Sequence, residues 1–117
     1  FGLEQVRKEI AKTWFIDYLE GEGYTLCLEE GEKATTQAAL ASLDAWEQWD
    51  GRQKLKDIKC PTLVIWSSKD RSYDWTQQEI LVNGITGSKI EIIQNCAHNS
   101  HMEKPELFNQ IVRDFLN

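Results

Sequence analysis

The chain carries only two histidines, and both fall in the stretch Asn-Cys-Ala-His-Asn-Ser-His-Met-Glu-Lys-Pro-Glu, residues 95–106, as His98 and His101. Imidazole is the side chain that exchanges a proton near neutral pH, so acid–base chemistry is sought here first. A second stretch, Leu-Val-Ile-Trp-Ser-Ser-Lys-Asp, ends in Asp70, four residues past Trp66, while His98 lies five residues past Ile93. A carboxylate and an imidazole at two such ends can work as a unit. The carboxylate accepts the Nδ1–H, fixes the tautomer and stabilises the imidazolium, and Nε2 is left to move a proton. Taken singly, each residue reads equally well as a turn aspartate or an incidental loop histidine. A metal site built from Asp70, His98 and His101 is the competing chemistry, since His-x-x-His is a usable ligand spacing on a helix. Pro105 follows closely and no fourth ligand stands out, so neither a metal nor a cofactor is expected. His101 is expected to line the pocket or to pair with Glu103, which itself reads as an acceptor at a helix N-terminus.

The elements that must position these residues are legible in the second half of the chain. The continuous apolar run Leu63 to Trp66, entered through Pro61, suits a parallel strand covered on both faces. A helix follows, with Asp74 as N-cap, Gln77 as its capping-box partner and Gly84 as its stop. Lys89 to Asn95, with Ile90, Ile92 and Ile93, reads as the next strand. Pro105 opens a last helix whose stripe is Leu107, Phe108, Ile111, Val112, Phe115 and Leu116. Residues 55–117 therefore form a βαβα unit with parallel strands. Ligands of such sheets sit beyond the carboxyl ends of the strands, where Asp70 and His98 lie.

Residues 1–54 read as helical. One helix runs from Leu3 towards a stop at Gly21, on the spacing of Leu3, Val6, Ile10, Trp14 and Leu19. Another is capped by Thr36, presents Leu40, Leu43 and Trp46, and ends at Gly51. The glycine-rich residues 21–33 between them are open to loop, strand or helix. Trp14, Trp46 and Trp49 make this half aromatic, either as core packing or as a lid over an apolar pocket.

At 117 residues, 41% hydrophobic and 27% charged, the chain is one domain or a piece of one. A net charge of −6 argues against a nucleic-acid partner. No apolar run approaches the roughly 18–20 residues of a membrane span, and no secretory leader is visible. Cys27, Cys60 and Cys96 match neither a disulfide framework nor a zinc pattern, so buried, reduced thiols and a cytoplasmic location are expected.

Two stretches carry a resemblance: Leu-Lys-Asp-Ile-Lys-Cys-Pro-Thr-Leu-Val-Ile-Trp-Ser-Ser-Lys-Asp, and the segment from Asn95 to Leu116. Residues 55–116 resemble the C-terminal part of the α/β-hydrolase superfamily. There a proline-led strand ends in a Gly-x-x-Asp loop with the triad acid, and Gly-His and Glu-x-Pro follow the last strand. The resemblance places Asp70 on the acid, His98 on the base, and Glu103 and Pro105 on the Glu-x-Pro. It implies a partial α/β-hydrolase fold, with residues 1–54 as a helical cap or lid and residues 55–117 as the βαβα part of the core. It also implies a small, apolar substrate, with Trp46, Trp66 and His101 among the residues around it.

Ser67 and Ala97 stand where the family has glycine; if those sites need φ > 0, Asp70 and His98 are displaced. The chain has no Gly-x-Ser-x-Gly, hence no nucleophile elbow. Of the nearby candidates, Ser67, Ser68, Ser72 and Ser100 have no elbow, and Cys96 reads as a structural thiol. The expectation is a chain inactive alone, completed by an N-terminal half of the fold or self-associating through an unpaired strand edge. The alternative is a stand-alone, non-catalytic binding module. A nucleotide-binding α/β domain is disfavoured for want of a glycine-rich phosphate loop.

Overall fold

The computed structural model describes residues 2–17 and 21–117. Its elements run α1 (Leu3–Thr13), α2 (Glu22–Glu32), α3 (Thr36–Gln48), a 3₁₀ turn (Arg52–Asp57), β1 (Leu63–Ser67), α4 (Trp75–Gly84), β2 (Lys89–Ile93), α5 (Ser100–Glu103) and α6 (Pro105–Leu116). β1 and β2 pair in parallel, with Leu63 opposite Lys89 and Ser67 opposite Ile93. That register matters most, because it ends both strands level and sends their loops out of one edge of the sheet. The pairing continues into the loops: Ser68 N donates to Ile93 O, and Lys69 N to Cys96 O, both at 3.0 Å.

Local chemistry explains the second half well. Asp74 accepts from Gln77 N, as an N-cap should, and Pro105 opens α6 where its missing N–H costs nothing. The strands are less covered than expected. Among the described residues the buried apolar set is Ala11, Phe15, Val64, Ile85, Ile93, Cys96 and Ala97, while Ile92 on β2 and Leu107 and Leu116 on α6 stay exposed. The two-sided cover that β1's apolar run calls for is not supplied by these residues alone.

The first half departs further from expectation. α1 ends at Thr13 rather than near Gly21, and Leu19 lies outside the described residues. Tertiary hydrogen bonds take over where the helix stops. Asn99 N donates to Trp14 O, and Glu103 accepts from Ile16 N. Within residues 21–33, Glu22–Glu32 settles as helix α2 despite Gly23 and Gly31, each of which weakens a helix by roughly 1 kcal/mol. One of them serves a close approach: a Cβ on Gly23 would stand 2.8 Å from the Phe15 ring. The cap of α3 is Thr35, which accepts from Ala38 N, and not Thr36. α3 buries no side chain; Leu40 and Leu43 are exposed, Trp46 is 71% exposed, and beyond the helix Trp49 is 77% exposed. Core packing therefore does not account for Trp46 or Trp49.

Neither Ser67 nor Ala97 adopts a positive φ, so the missing glycines displace nothing by that route; among the described non-glycine residues only Asn95 does, at φ 51°. Asparagine tolerates this left-handed conformation better than other side-chain-bearing residues. Asn95→Gly should therefore leave the urea midpoint nearly unchanged, whereas Asn95→Val should cost about 1–2 kcal/mol. Equal midpoints for the two variants would remove the strain from this loop.

Candidate active site

The level strand ends bring Asp70 and His98 together. His98 Nδ1 lies 2.9 Å from Asp70 Oδ2, with the Asp70 side chain 6% exposed and that of His98 30% exposed. The buried partner is the carboxylate and the more open one is the imidazole, so the ring nitrogen free of Asp70 belongs to the accessible group. Asp70 is held independently of His98. Its other oxygen, Oδ1, accepts from Ser72 N at 2.7 Å and Tyr73 N at 3.1 Å, and its own N–H donates to Ser67 O. Such a turn fixes the carboxylate before the imidazole arrives.

Aromatic rings flank the imidazole. Tyr73 lies 5.3 Å from it between ring centroids and Trp14 lies 6.4 Å away, both tilted. Trp66 is set back from the pair: its Nε1 donates to Tyr73 O, and its ring packs on Trp75 at 5.3 Å. It supports the loop that carries Tyr73. His101 is exposed and packs edge-on against Phe108 of α6 at 5.9 Å. Glu103 is not its partner, because that carboxylate accepts from Ala97 N at 2.6 Å, from the Cys96 thiol at 3.2 Å and from Ile16 N. Glu103 is an acceptor, but not at a helix N-terminus as expected: its donors come from the loop before His98 and from the N-terminal segment.

Two cavities adjoin these residues. One of about 600 Å³ is lined by Ile16, Lys69, Asp70, Arg71 and Asn95. A larger one of about 750 Å³ has Trp49, Leu55, Tyr73, Ile80 and Leu81 among its lining residues, and the Tyr73 in its wall is the ring that lies against His98. Trp49, not the expected Trp46, is the indole at its wall. At its rim the Arg52 guanidinium beside Asp50 holds that carboxyl down at about 2.

Arg71, absent from the sequence reading, is the main link between the halves. Its guanidinium donates to Lys12 O at 2.7 Å and to Phe15 O, gathering the carbonyls released at the end of α1. An arginine directly after the acid was the only signal available. Cys96 is 0% exposed, and burial, then the Glu103 hydrogen bond, pushes its thiol up to about 11. A thiol in that state is a poor nucleophile at neutral pH. Cys27 is half-buried and Cys60 exposed, so buried thiols describe only Cys96. No group of three or more metal-ligating side chains occurs among the described residues.

No protein-family model matches the chain. Among curated proteins, 64 residues are 38% identical to monoacylglycerol lipase ABHD6 of Rattus norvegicus, covering 55% of this chain and 19% of that protein. A second relative is the 2-hydroxy-6-oxononadienedioate/2-hydroxy-6-oxononatrienedioate hydrolase of Escherichia coli O139:H28, 36% identical over 63 residues, 54% of this chain and 22% of that one. Among solved structures, the enol-lactonase from Burkholderia xenovorans LB400 superposes with a TM-score of 0.87 at 24% identity, over 98% of this chain and 45% of the other. The chain has part of the α/β-hydrolase fold, and the proteins it resembles are α/β-hydrolases. What it matches is the C-terminal part of that fold. The aligned part spans about a fifth of the length of these curated α/β-hydrolase relatives. No helix among the described residues is long and apolar enough to cross a membrane.

Proposed function

We propose that this chain supplies the acid and base of a hydrolase centre, with Asp70 as acid, His98 as base, and the nucleophile carried by the N-terminal part of the fold. The observation that supports it is the 2.9 Å contact between Asp70 and His98 across two level strand ends. In the completed centre His98 Nε2 takes the proton from a serine nucleophile, or from water after an aspartate nucleophile. Asp70 holds the ring in the Nδ1–H tautomer and stabilises the imidazolium that forms. Residues 1–54 act as the cap and residues 55–117 as the catalytic part of the core.

The substrate is a small carboxylic ester or related molecule with an apolar portion. Monoacylglycerol, the substrate class in one relative's name, fits that description. The apolar cavity beside Tyr73 would take the apolar portion, with Trp49 at its wall. Trp46, fully outside that lining, is assigned to contact with the rest of the fold. Without the nucleophile elbow the chain alone does not turn over.

The test is complementation. The chain is mixed or co-expressed with the N-terminal half of a related α/β-hydrolase that bears Gly-x-Ser-x-Gly, and p-nitrophenyl ester hydrolysis is followed. Activity is expected only in the mixture. Turnover by the chain alone at the mixture's rate would overturn the proposal.

A second reading rests on α3. Leu40, Leu43 and Trp46 form an exposed apolar series, as a stand-alone self-associating module requires. Sedimentation separates the two: a dimer that persists when the N-terminal half is added favours the module.

A further inference from the structure

Asp70 is anchored by its own turn, but His98 sits in a loop with no comparable self-made anchor. The side chain that gathers that loop is one carboxylate. Glu103 Oε2 accepts from Ala97 N at 2.6 Å, the residue immediately before His98, and from the thiol of Cys96 at 3.2 Å. Its other oxygen, Oε1, accepts from Ile16 N. On the far side of His98, Asn99 N donates to Trp14 O at 3.0 Å. The backbone on both flanks of the imidazole is therefore tied to residues 14–16, directly through Asn99 and by way of Glu103. The same short segment carries the Trp14 ring that lies against the imidazole. Cys96 and Ala97 are completely buried, so an unmet N–H or S–H there carries a desolvation cost.

We propose that Glu103 is a positioning residue for His98, clamping the base loop to residues 14–16 so that Nδ1 stays within reach of Asp70. This rests on the reading of Asp70 and His98 as the acid–base pair. A carboxylate suits the role because it offers two acceptor oxygens and no donor, matching N–H and S–H groups that converge from two segments. Glutamine is nearly isosteric but has one acceptor oxygen. With Glu103→Gln, either Ala97 N–H or Ile16 N–H must face an amide NH₂, and one arm of the clamp opens.

The test reads the imidazole itself in the full chain. With only two histidines, His101→Gln assigns the low-field Nδ1–H proton of His98 by NMR, and Asp70→Ala should abolish it. In Glu103→Gln, solvent exchange of that proton is expected to speed up about tenfold, the scale set by losing one hydrogen bond to a charged acceptor. Glu103→Asp, which keeps both oxygens on a shorter arm, should fall between wild type and Gln. Ile85→Ala is the control for general destabilisation. Ile85 is buried just past α4, four residues before β2 begins and so towards the strand starts rather than the loops at their ends, and this variant should melt earlier with the exchange rate unchanged.

A wild-type signal that vanishes in Asp70→Ala, with exchange unaltered in Glu103→Gln, overturns the positioning role and leaves the pair standing. A wild-type chain with no Asp70-dependent signal overturns the pair, and the positioning role with it. Equal acceleration in Ile85→Ala and Glu103→Gln makes Glu103 merely structural and also overturns the proposal.

Discussion

In the completed hydrolase, His98→Ala is expected to lower kcat/KM by roughly 10,000-fold, and Asp70→Asn by a similar factor. The second result follows from the geometry. Asp70 Oδ1 is occupied by the N–H groups of Ser72 and Tyr73, which an amide oxygen satisfies and an amide NH₂ does not. The oxygen of Asn must therefore take that side, which turns its NH₂ towards His98 Nδ1. The ring then keeps its proton on Nε2, the wrong tautomer for a base. Fold and stability should change little, since the two turn hydrogen bonds remain. The double variant should be no worse than His98→Ala alone, because the carboxylate acts only through the imidazole. Steady-state ester hydrolysis by the four proteins decides it. An Asp70→Asn variant within about threefold of wild type would show that Asp70 does not set the tautomer.

Phe15→Ala is expected to cost about 3–5 kcal/mol, the range for removing a buried aromatic ring. Phe15 is 2% exposed, meets Tyr24 edge-on at 6.4 Å, and leaves no room for a Cβ on Gly23. Few large side chains are buried among the described residues, so one ring is a large share of the roughly 5–15 kcal/mol that holds a domain. Its backbone also carries the site, since Phe15 O accepts from Arg71 and its neighbours Trp14 and Ile16 bond to Asn99 and Glu103. Urea denaturation gives the free-energy loss, and amide exchange should accelerate first in α2, which packs on the ring. A loss below about 1 kcal/mol would mean that the ring is not part of the core.

The second half of the chain was legible because its signals are local. An apolar run behind Pro61, a cap at Asp74 and a helix opening at Pro105 act within a few residues, and β1, α4 and α6 appear where they point. The closeness of Asp70 and His98 was legible for a further reason. Parallel strands ending level place residues just beyond them on one edge, so the positions of Asp70 and His98 carried spatial information. The first half obeys long-range interactions. Where α1 stops, Arg71 meets the Lys12 and Phe15 carbonyls, and α2 carries Gly23 where the Phe15 ring leaves no space for a Cβ. Neither partner is near in sequence. Trp46 illustrates another boundary: periodicity shows that a helix face is apolar, but not whether its cover lies in the same chain. Glu103 was read as an acceptor at a helix N-terminus, whereas its donors, at Ile16, Cys96 and Ala97, could be seen only once the loops were folded together.

The most direct test of a divided centre is to react the two-part hydrolase with a fluorophosphonate, separate the parts and weigh each by mass spectrometry, with wild-type and His98→Ala chains in parallel. The expected result is His98-dependent hydrolysis with no covalent adduct on any residue of this chain. An adduct on a serine or cysteine of this chain, formed at the rate at which activity is lost, would contradict it.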